Sequence, residues 1–414
     1  MKLLKSKYIW VITSFVLFTG YWVSCTKSDQ VIDTGNSGGT TDQSTQLVAL
    51  KVTAAPTIDG TIDASWANCQ KLTAVVTVPD PGNDYFKGYV DNTHTVTMRT
   101  MYDASKIYFL AEWNDANKSL NRDPWYFDPA SKTWKEESRK PTFDAEGNKI
   151  REAFYEDKFA MLWNVNNSVT DFNEKGCYAT CHTSLDPATH GGATGRHFTG
   201  SSTEFLDMWH WKSVRTGLPS GQFDDQLQNN TEFDLVDGGR HGDPKVSGGY
   251  SDNVQTLPVT GGTPGQTASV PKYFVPGATN YYWVLKSDQV AGTAKLITGV
   301  DVNGILTYAG GTIDPNTDVE FQRKGETTGS KCMPSVCDVA PFVGDRGDIS
   351  AQAIFTGGGW ILEFSRSLIT PSGAAGNSDV QFDPTSDYVF GIAVFDNAAI
   401  AHAINSKFTL TFAK

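Results

Sequence analysis

Short apolar runs in which every second residue shares a face are the feature that most restricts how this chain can fold. In residues 159–163, for example, Phe159, Met161 and Trp163 fall on one face of a strand. Comparable runs cover residues 47–52, 95–101, 107–113, 281–285, 359–364, 388–395 and 408–412. No long segment keeps a helical period. The pattern therefore predicts an all-β protein, a mostly antiparallel β-sandwich with long irregular loops.

Composition agrees with this fold class and narrows the partners. The chain has 39 glycines and 12% aromatic residues, which suits a turn-rich β protein. Its formal charge of −12 argues against nucleic acid, because nucleic-acid binding calls for a basic patch. Nucleotide-binding loops and the common hydrolase motifs are missing from the sequence.

Two long polar stretches interrupt the strands, at residues 114–156 and 166–272. Loops of this length inside a compact domain usually carry function or are disordered. The second stretch contains five of the seven histidines. We therefore expect residues 166–272 to be an insertion that carries the ligand chemistry.

The hexapeptide CYATCH at residues 177–182 lies in this insertion. Two thiols, Cys177 and Cys181, are followed at once by the imidazole of His182. This order is typical of covalent haem attachment, for which the usual spacing is C-x-x-C-H; here the loop has one residue more. The motif predicts a c-type haem bound to both cysteines, with His182 as an iron ligand.

Two other interpretations of the motif stay open. Cys177 and Cys181 could form a disulfide, which an exported chain permits. They could also bind zinc together with His182. A structural zinc site needs a fourth ligand at recognisable spacing, and no second Cys/His pair of that kind lies nearby.

The N-terminus predicts export and lipid attachment. Residues 1–25 have a basic start, then an uncharged run over residues 8–23 that is short for a membrane-spanning helix, and finally Cys25. This segment resembles a bacterial lipoprotein signal peptide, which implies lipidation of Cys25. Residues 26–46 are rich in Ser, Thr and Gly and predict a flexible linker. We expect a folded domain at residues 47–414, anchored to the cell envelope on its periplasmic or cell-surface side.

The remaining cysteines and several aspartates suggest structural roles. Cys332 and Cys337 could close a local disulfide, whereas Cys69 has no obvious partner. Asp59, Asp115 and Asp157 lack the spacing of an EF-hand loop and are interpreted as turn and cap residues.

Several segments together resemble the haem-binding domain related to the γ subunit of ethylbenzene dehydrogenase and of similar dimethyl-sulfide-type molybdoenzymes. They read PTIDG (56–60, with Trp66), EWND (112–115), EDKFAM (156–161), GWILEFSR (359–366) and FGIAVFD (390–396). The resemblance spans most of residues 50–414 and implies a β-sandwich with one haem for electron transfer. The opening segment is shared with carbohydrate-binding modules of the family 9 and DOMON-like type.

This chain differs from the γ subunits in the residues expected to hold the haem. Those subunits hold haem b without covalent bonds, through a Met and a Lys, whereas Cys177, Cys181 and His182 imply a relative with covalent haem c. Haem b remains the alternative. Residues 207–212 (DMWHWK) also look like this c-type branch.

The sixth iron ligand has three main candidates, each with a structural alternative. His402 could bind the iron or could be an ordinary half-buried histidine. His210 could bind the iron or could make a structural hydrogen bond in a loop. Met161 could bind the iron or could pack in the core. Trp163 and Trp209 are expected to wall the porphyrin or to fill the core. Weaker candidates are Met208, His190, His197 and His241. The choice matters because a His/Met pair gives a higher reduction potential than His/His.

The sequence thus predicts a lipid-anchored cytochrome that passes electrons between redox partner proteins, a role that requires no catalysis of its own. The rival hypothesis is a carbohydrate-binding surface lipoprotein in which Cys177 and Cys181 form a disulfide.

Overall fold

The computed structural model describes residues 45–82, 84–180, 197–230, 238–278, 281–318, 321–322, 333–371 and 378–414. The predicted signal peptide and lipidation site lie outside these residues, as do Cys181, His182, His190 and Cys332. From Thr45 on, the described residues belong to one compact unit. None of them forms a helix long and apolar enough to cross a membrane.

Strands make up most of the regular secondary structure. They are β1 (Gln46–Lys51), β2 (Leu72–Thr77), β3 (Thr93–Tyr102), β4 (Lys106–Asn114), β5 (Trp125–Asp128), β6 (Thr133–Glu136), β7 (Thr142–Phe143), β8 (Lys149–Arg151), β9 (Lys158–Asn164), β10 (Leu206–Lys212), β11 (Asp224–Asn229), β12 (Gly239–Gly242), β13 (Ser247–Asp252), β14 (Val254–Thr260), β15 (Thr267–Pro271), β16 (Tyr273–Phe274), β17 (Lys295–Asp301), β18 (Leu306–Tyr308), β19 (Gly311–Ile313), β20 (Val336–Val343), β21 (Ser350–Phe355), β22 (Gly359–Ser367), β23 (Tyr388–Phe395) and β24 (Ala403–Phe412).

Helices in the described residues are short. The α-helices are α1 (Phe172–Lys175), α2 (Leu218–Ser220) and α3 (Lys286–Val290). Single 3-10 turns cover Ala64–Asn68, Val165–Asn167, Gly176–Ala179 and Asp345–Gly347, and a wider π turn covers Ser213–Gly217.

The main sheet has 12 strands in the order β12-β11-β10-β9-β23-β24-β1-β3-β4-β22-β21, with β2 beside β24 and β3. Its pairs are antiparallel except that β1 runs parallel to both β24 and β3. A smaller sheet of β14–β19 shares a core with the β5–β6 hairpin, which contributes Trp125, Phe127 and Trp134.

The main sheet folds back on itself into two layers. β4 and β9 are five places apart in the strand order, which would be about 24 Å in a flat sheet. The ring centroids of Trp113 on β4 and Phe159 on β9 are nevertheless 5.4 Å apart, and those of Phe109 and Trp209 are 5.7 Å apart. The layer with β9, β10 and β23 therefore packs face to face on the layer with β4 and β22, as in a β-sandwich.

The predicted all-β, mostly antiparallel fold is confirmed, and so are most of the predicted strands. The runs at residues 47–52, 95–101, 107–113, 159–163, 359–364, 388–395 and 408–412 correspond to β1, β3, β4, β9, β22, β23 and β24.

Two predictions about element positions are wrong. Residues 166–272, expected as a long loop, contain the main-sheet strands β10, β11 and β12, and also β13, β14 and β15, which belong to smaller sheets. β11 (DDQLQN) escapes the alternation test because it is polar and yet buried. Residues 281–284 form no strand, and only Leu285 makes a bridge, to Val339.

The unexplained Cys69 belongs to a small core. It packs with Trp66, Met101 and Tyr108, and its burial raises the pKa of the thiol. Cys337 is also buried, and its thiol donates to the carbonyl oxygen of Asp252 at 3.6 Å. The suggested pairing of Cys337 with Cys332 concerns a residue outside the described part of the chain.

Candidate functional site

The layer with β9, β10 and β23 is buried on both of its faces. Every residue of β9 and β10 is buried. Because side chains alternate along a strand, Phe159 and Trp163 face the sandwich interior, where they meet other rings, and Ala160 and Leu162 face outward. The outer face is therefore covered by other parts of the chain.

A cleft lined mostly by apolar side chains lies on this outer face. Its sheet side is formed by small residues, namely Ala160, Gly391 and Ala393, of which Ala160 and Ala393 are direct cross-strand partners. Larger apolar side chains complete the lining: Leu162, Met208, Phe395 and Ile404. The apolar lining with a few polar groups is that of a small-molecule or cofactor pocket.

Cys177 reaches the cleft because the turn that carries it docks against β24. Gly176 has a φ of +58°, and a Cβ at this position would lie 1.8 Å from the carbonyl oxygen of Ser406. Only glycine permits this approach. A Cβ at Gly391 would lie 3.4 Å from the Cβ of Cys177, so the missing side chain at Gly391 leaves room beside the cysteine.

Polar donors also line the cleft. His402 has its Nδ1 2.7 Å from the carbonyl oxygen of Ile400, and because a carbonyl oxygen only accepts, Nδ1 carries the proton of this hydrogen bond. Its ring stacks on Phe395 with centroids 4.8 Å apart. His197 and Arg240 contribute to the same lining, and Arg240 Nη1 lies 3.8 Å from Met208 Sδ.

His210 lies on strand β10, where sequence reasoning expected a loop. It is the cross-strand partner of Ala160 and stacks on Phe395 at 5.5 Å, although it does not itself line the cleft. Its Nδ1 lies 3.3 Å from Gln226 Oε1, whereas its buried Nε2 makes no hydrogen bond to any described residue. Burial, and then the nearby lysine charges, hold the pKa of His210 well below its usual range, so the ring is neutral.

Three predicted site residues face the sandwich interior. Met161 is 1% exposed and lies between Trp209 and Ile392 in the strand register. It borders the cleft only as part of the sheet, since its side chain alternates with those of Ala160 and Leu162. Trp163 and Trp209 are fully buried, with centroids 5.2 Å apart. For all three, the core-packing alternative describes the observed environment, and a role beside a porphyrin stays a prediction.

Sequence reasoning undervalued three residues that the fold brings to the cleft. The sequence pattern makes Met208 and His197 weak candidates and does not point to Arg240, yet all three line the cleft. For Met208 a signal existed, because it shares a strand face with His210 at a spacing of two once residues 206–212 are taken as a strand. His241, by contrast, pairs with Leu227 on β11 and does not line the cleft.

Buried charged residues lie beyond Phe395 on the same outer face. Lys158 is 2% exposed, donates to the carbonyl oxygen of Ala399 at 2.9 Å and lies 4.0 Å from the centroid of the Phe395 ring. Burial lowers the pKa of Lys158 well below its usual value. Its cross-strand partner Lys212 forms a buried ion pair with Asp224. Beyond Phe395, the apolar cleft is therefore bordered by the buried charged residues Lys158, Lys212 and Asp224.

Fold and site together define an all-β sandwich protein with an apolar cleft. Its lining includes a cysteine, two histidines and a methionine, namely Cys177, His197, His402 and Met208. The chain belongs to the ethylbenzene dehydrogenase family, whose sequence model matches residues 64–406, and is thus an ethylbenzene dehydrogenase-related protein. No curated protein matches the chain.

Among solved structures, the chain is similar to a carbohydrate binding module of family 9 from Caldicellulosiruptor kristjanssonii. With glucose bound, that module is 8% identical, 89% of this chain and 94% of that chain are covered, and the TM-score is 0.26. With cellotriose bound, the values are 8%, 89% and 93%, with a TM-score of 0.28.

Proposed function

We propose that this protein binds one haem in the cleft beside Cys177 and transfers electrons between redox partners outside the cytoplasm, with a lipid on Cys25 holding it at the membrane. One observation carries the proposal. Cys177, the first cysteine of the CYATCH motif, lies at an apolar cleft whose lining also includes His197, Met208 and His402.

The chemistry of the lining supports a haem. A haem is a large, planar and mostly apolar group, and the cleft offers apolar walls. Covalent attachment also needs a thiol beside the haem, which Cys177 provides. Arg240 offers a guanidinium that can pair with a propionate carboxylate. Cys181 and His182 lie outside the described residues, but five residues of chain span at most about 18 Å. His182 is therefore within reach of the cleft that Cys177 borders.

When bound, a haem supplies a one-electron redox centre whose potential depends on its axial ligands. Cys177 and Cys181 would anchor the group, and His182 would bind the iron from the motif side. For the opposite side the described residues offer His402, Met208 and His197 in the cleft, and His210 next to it. The neutral ring of His210 suits ligation, because a protonated imidazole has no lone pair to give.

The test of covalent attachment is a pyridine haemochrome spectrum of the full chain, made in a host with cytochrome c maturation. We expect acid-acetone-resistant haem in the wild type and its loss in Cys177→Ser/Cys181→Ser. Cys69→Ser is the matched control, because Cys69 is a buried cysteine outside the motif, and it should keep the haem. Folded wild-type protein without haem would refute the proposal, and glycan binding without Soret absorption would favour the carbohydrate-binding rival.

The sixth ligand is tested by single substitutions read out in the electronic spectrum and the reduction potential. His402→Ala, Met208→Ala, His197→Ala and His210→Ala are compared, and the ligand is the one whose loss changes both signals. Met161→Leu is the control, since Met161 faces the interior, and it should change neither. A changed spectrum in Met161→Leu alone would contradict the placement of the haem on the outer face.

A further inference from the structure

A buried acidic cluster lies near the interior side of β10 and β11. Oxygens of Asp225, Asp243 and Asp379 lie within 4.8 Å of one another, and so do oxygens of Asp345, Asp348 and Asp379. The two groups share Asp379. Asp225 belongs to the interior side because its cross-strand partner is Trp209, which packs on Phe109 of the opposite layer.

Several of these carboxylate oxygens lack donors. Asp225 and Asp379 are fully buried and Asp243 is 2% exposed. Both carboxylate oxygens of Asp243, Oδ2 of Asp225 and Oδ1 of Asp379 are buried and accept no hydrogen bond from an N–H or hydroxyl group of the described residues, although the carboxyl groups of Asp243 and Asp379 lie close enough to share a proton. Buried charges are normally paired or bound to metal, because an isolated carboxylate is costly to remove from water.

Cationic side chains near the cluster are too few to neutralise it. Arg366 donates from Nη1 to Asp207 Oδ2 at 3.0 Å, and thereby pairs with a carboxylate at the border of the cluster. Arg346 donates to Asp224 at 2.6 Å, on the outer face. Among the described residues, no salt bridge reaches Asp225, Asp243 or Asp379.

We propose that Asp225, Asp243 and Asp379 bind a calcium ion, with Asp345 and Asp348 next to it. Oxygen-only ligands select hard cations. Calcium accepts six to eight oxygens in irregular arrangements, whereas magnesium demands octahedral geometry and usually keeps several waters, which a nearly inaccessible site disfavours. The ion would tie β11 to the segments that follow β12 and precede β23. This site goes beyond the proposed function, because none of its residues lines the cleft.

Protonation is the competing way to neutralise the cluster. Burial and the neighbouring Asp207 carboxylate raise the pKa of Asp243 to about 10, and burial raises the pKa of Asp348 to about 7. Without a cation, these carboxyl groups keep protons that the unfolded chain releases near pH 4. The two arrangements differ in their response to calcium, and this difference can be measured.

The experiment is thermal unfolding of the purified full chain after dialysis against a chelator, with calcium chloride or magnesium chloride added back. We expect saturating calcium to raise the Tm by about 5 °C, magnesium to have a much smaller effect, and elemental analysis to find bound calcium. Asp243→Asn and Asp348→Asn should each reduce or remove the shift. Two variants are used so that misfolding of one leaves the test intact.

Two controls separate this site from other effects. Glu363→Gln changes a fully buried carboxylate that is already bound by Trp66 and Gly60, and it should keep the calcium shift. Cys177→Ser/Cys181→Ser should also keep the shift, so that a failure of the haem proposal leaves this one standing. A Tm that ignores calcium and falls as the pH rises would show a protonated cluster and overturn the proposal, as would an unchanged shift in Asp243→Asn.

Discussion

Gly176 lies directly against the backbone of Ser406, so that a Cβ at position 176 would fall 1.8 Å from the Ser406 carbonyl oxygen. This close approach seats the turn that carries Cys177 on β24. The position of the cysteine at the cleft therefore depends on a residue that has no side chain.

Gly176→Ala should displace this turn and lower covalent haem loading. The alanine would be strained at φ +58° and would clash with backbone that cannot simply rotate away. Gly277→Ala is the matched control, because Gly277 has a φ of +76° with nothing within 4 Å of its added Cβ. The control should cost only the backbone strain, about 1–2 kcal/mol. The haem-to-protein ratio and the Tm of both variants measure the difference, and equal haem loading would contradict the docking role of Gly176.

Ala393→Phe should fill the cleft from its sheet side. Ala393 lines the cleft and is the cross-strand partner of Ala160. A large ring there competes for the space that a cofactor needs, so we expect a several-fold loss of bound haem. Ala393→Ser, which adds little volume, is the control. The measurement is the ratio of Soret to protein absorbance, and unchanged loading in Ala393→Phe would place the haem elsewhere.

Removing Arg366 should be more costly than removing Arg99, another arginine of the main sheet that pairs with a carboxylate. Arg366 and Asp207 form a fully buried pair at 3.0 Å, whereas Arg99 and Glu112 form a pair of equal length in which the Glu112 side chain is 31% exposed. Arg366→Met leaves a buried carboxylate behind and should lower the free energy of unfolding by about 3–5 kcal/mol. Arg99 is itself largely buried, but its removal leaves Glu112 with access to water, so Arg99→Met should cost clearly less than Arg366→Met. Urea unfolding distinguishes the two, and similar losses would contradict the prediction.

Lys158→Met should change how stability depends on pH. Burial lowers the pKa of Lys158 in the folded state, while in the unfolded chain a lysine keeps its proton up to about pH 10.4. Between these two values the unfolded state binds more protons, so the wild type gains up to about 1.4 kcal/mol per pH unit as pH rises. Lys158→Met lacks this contribution, so its free energy of unfolding should fall further below that of the wild type as the pH rises from 7 to 9.5. Lys106→Met, at an exposed position, should show a constant difference, and a constant difference for Lys158→Met would contradict a neutral buried amine.

The alternation of apolar residues was sufficient to locate the central strands. β3, β4, β9, β22 and β23 lie where it predicts them, because successive side chains of a strand point to opposite faces and large apolar residues fill the interior face. The polar strand β11 was missed for the opposite reason. Asp224 is buried in an ion pair with Lys212, and Asp225 is buried in the acidic cluster with Asp243 and Asp379. None of these partners is adjacent to β11 in the sequence, so the sequence pattern does not reveal them.

The sequence by itself determined the all-β class, the family and the CYATCH motif, since strand periodicity and local motifs are written in neighbouring residues. Only the tertiary structure decided which face of β9 lies inside. A period of two shows that Met161 and Trp163 share a face, but it cannot say what covers either face. The cleft at Cys177 and the cluster around Asp379 likewise join residues that are far apart in the chain, and such contacts exist only once the sheet has folded back on itself.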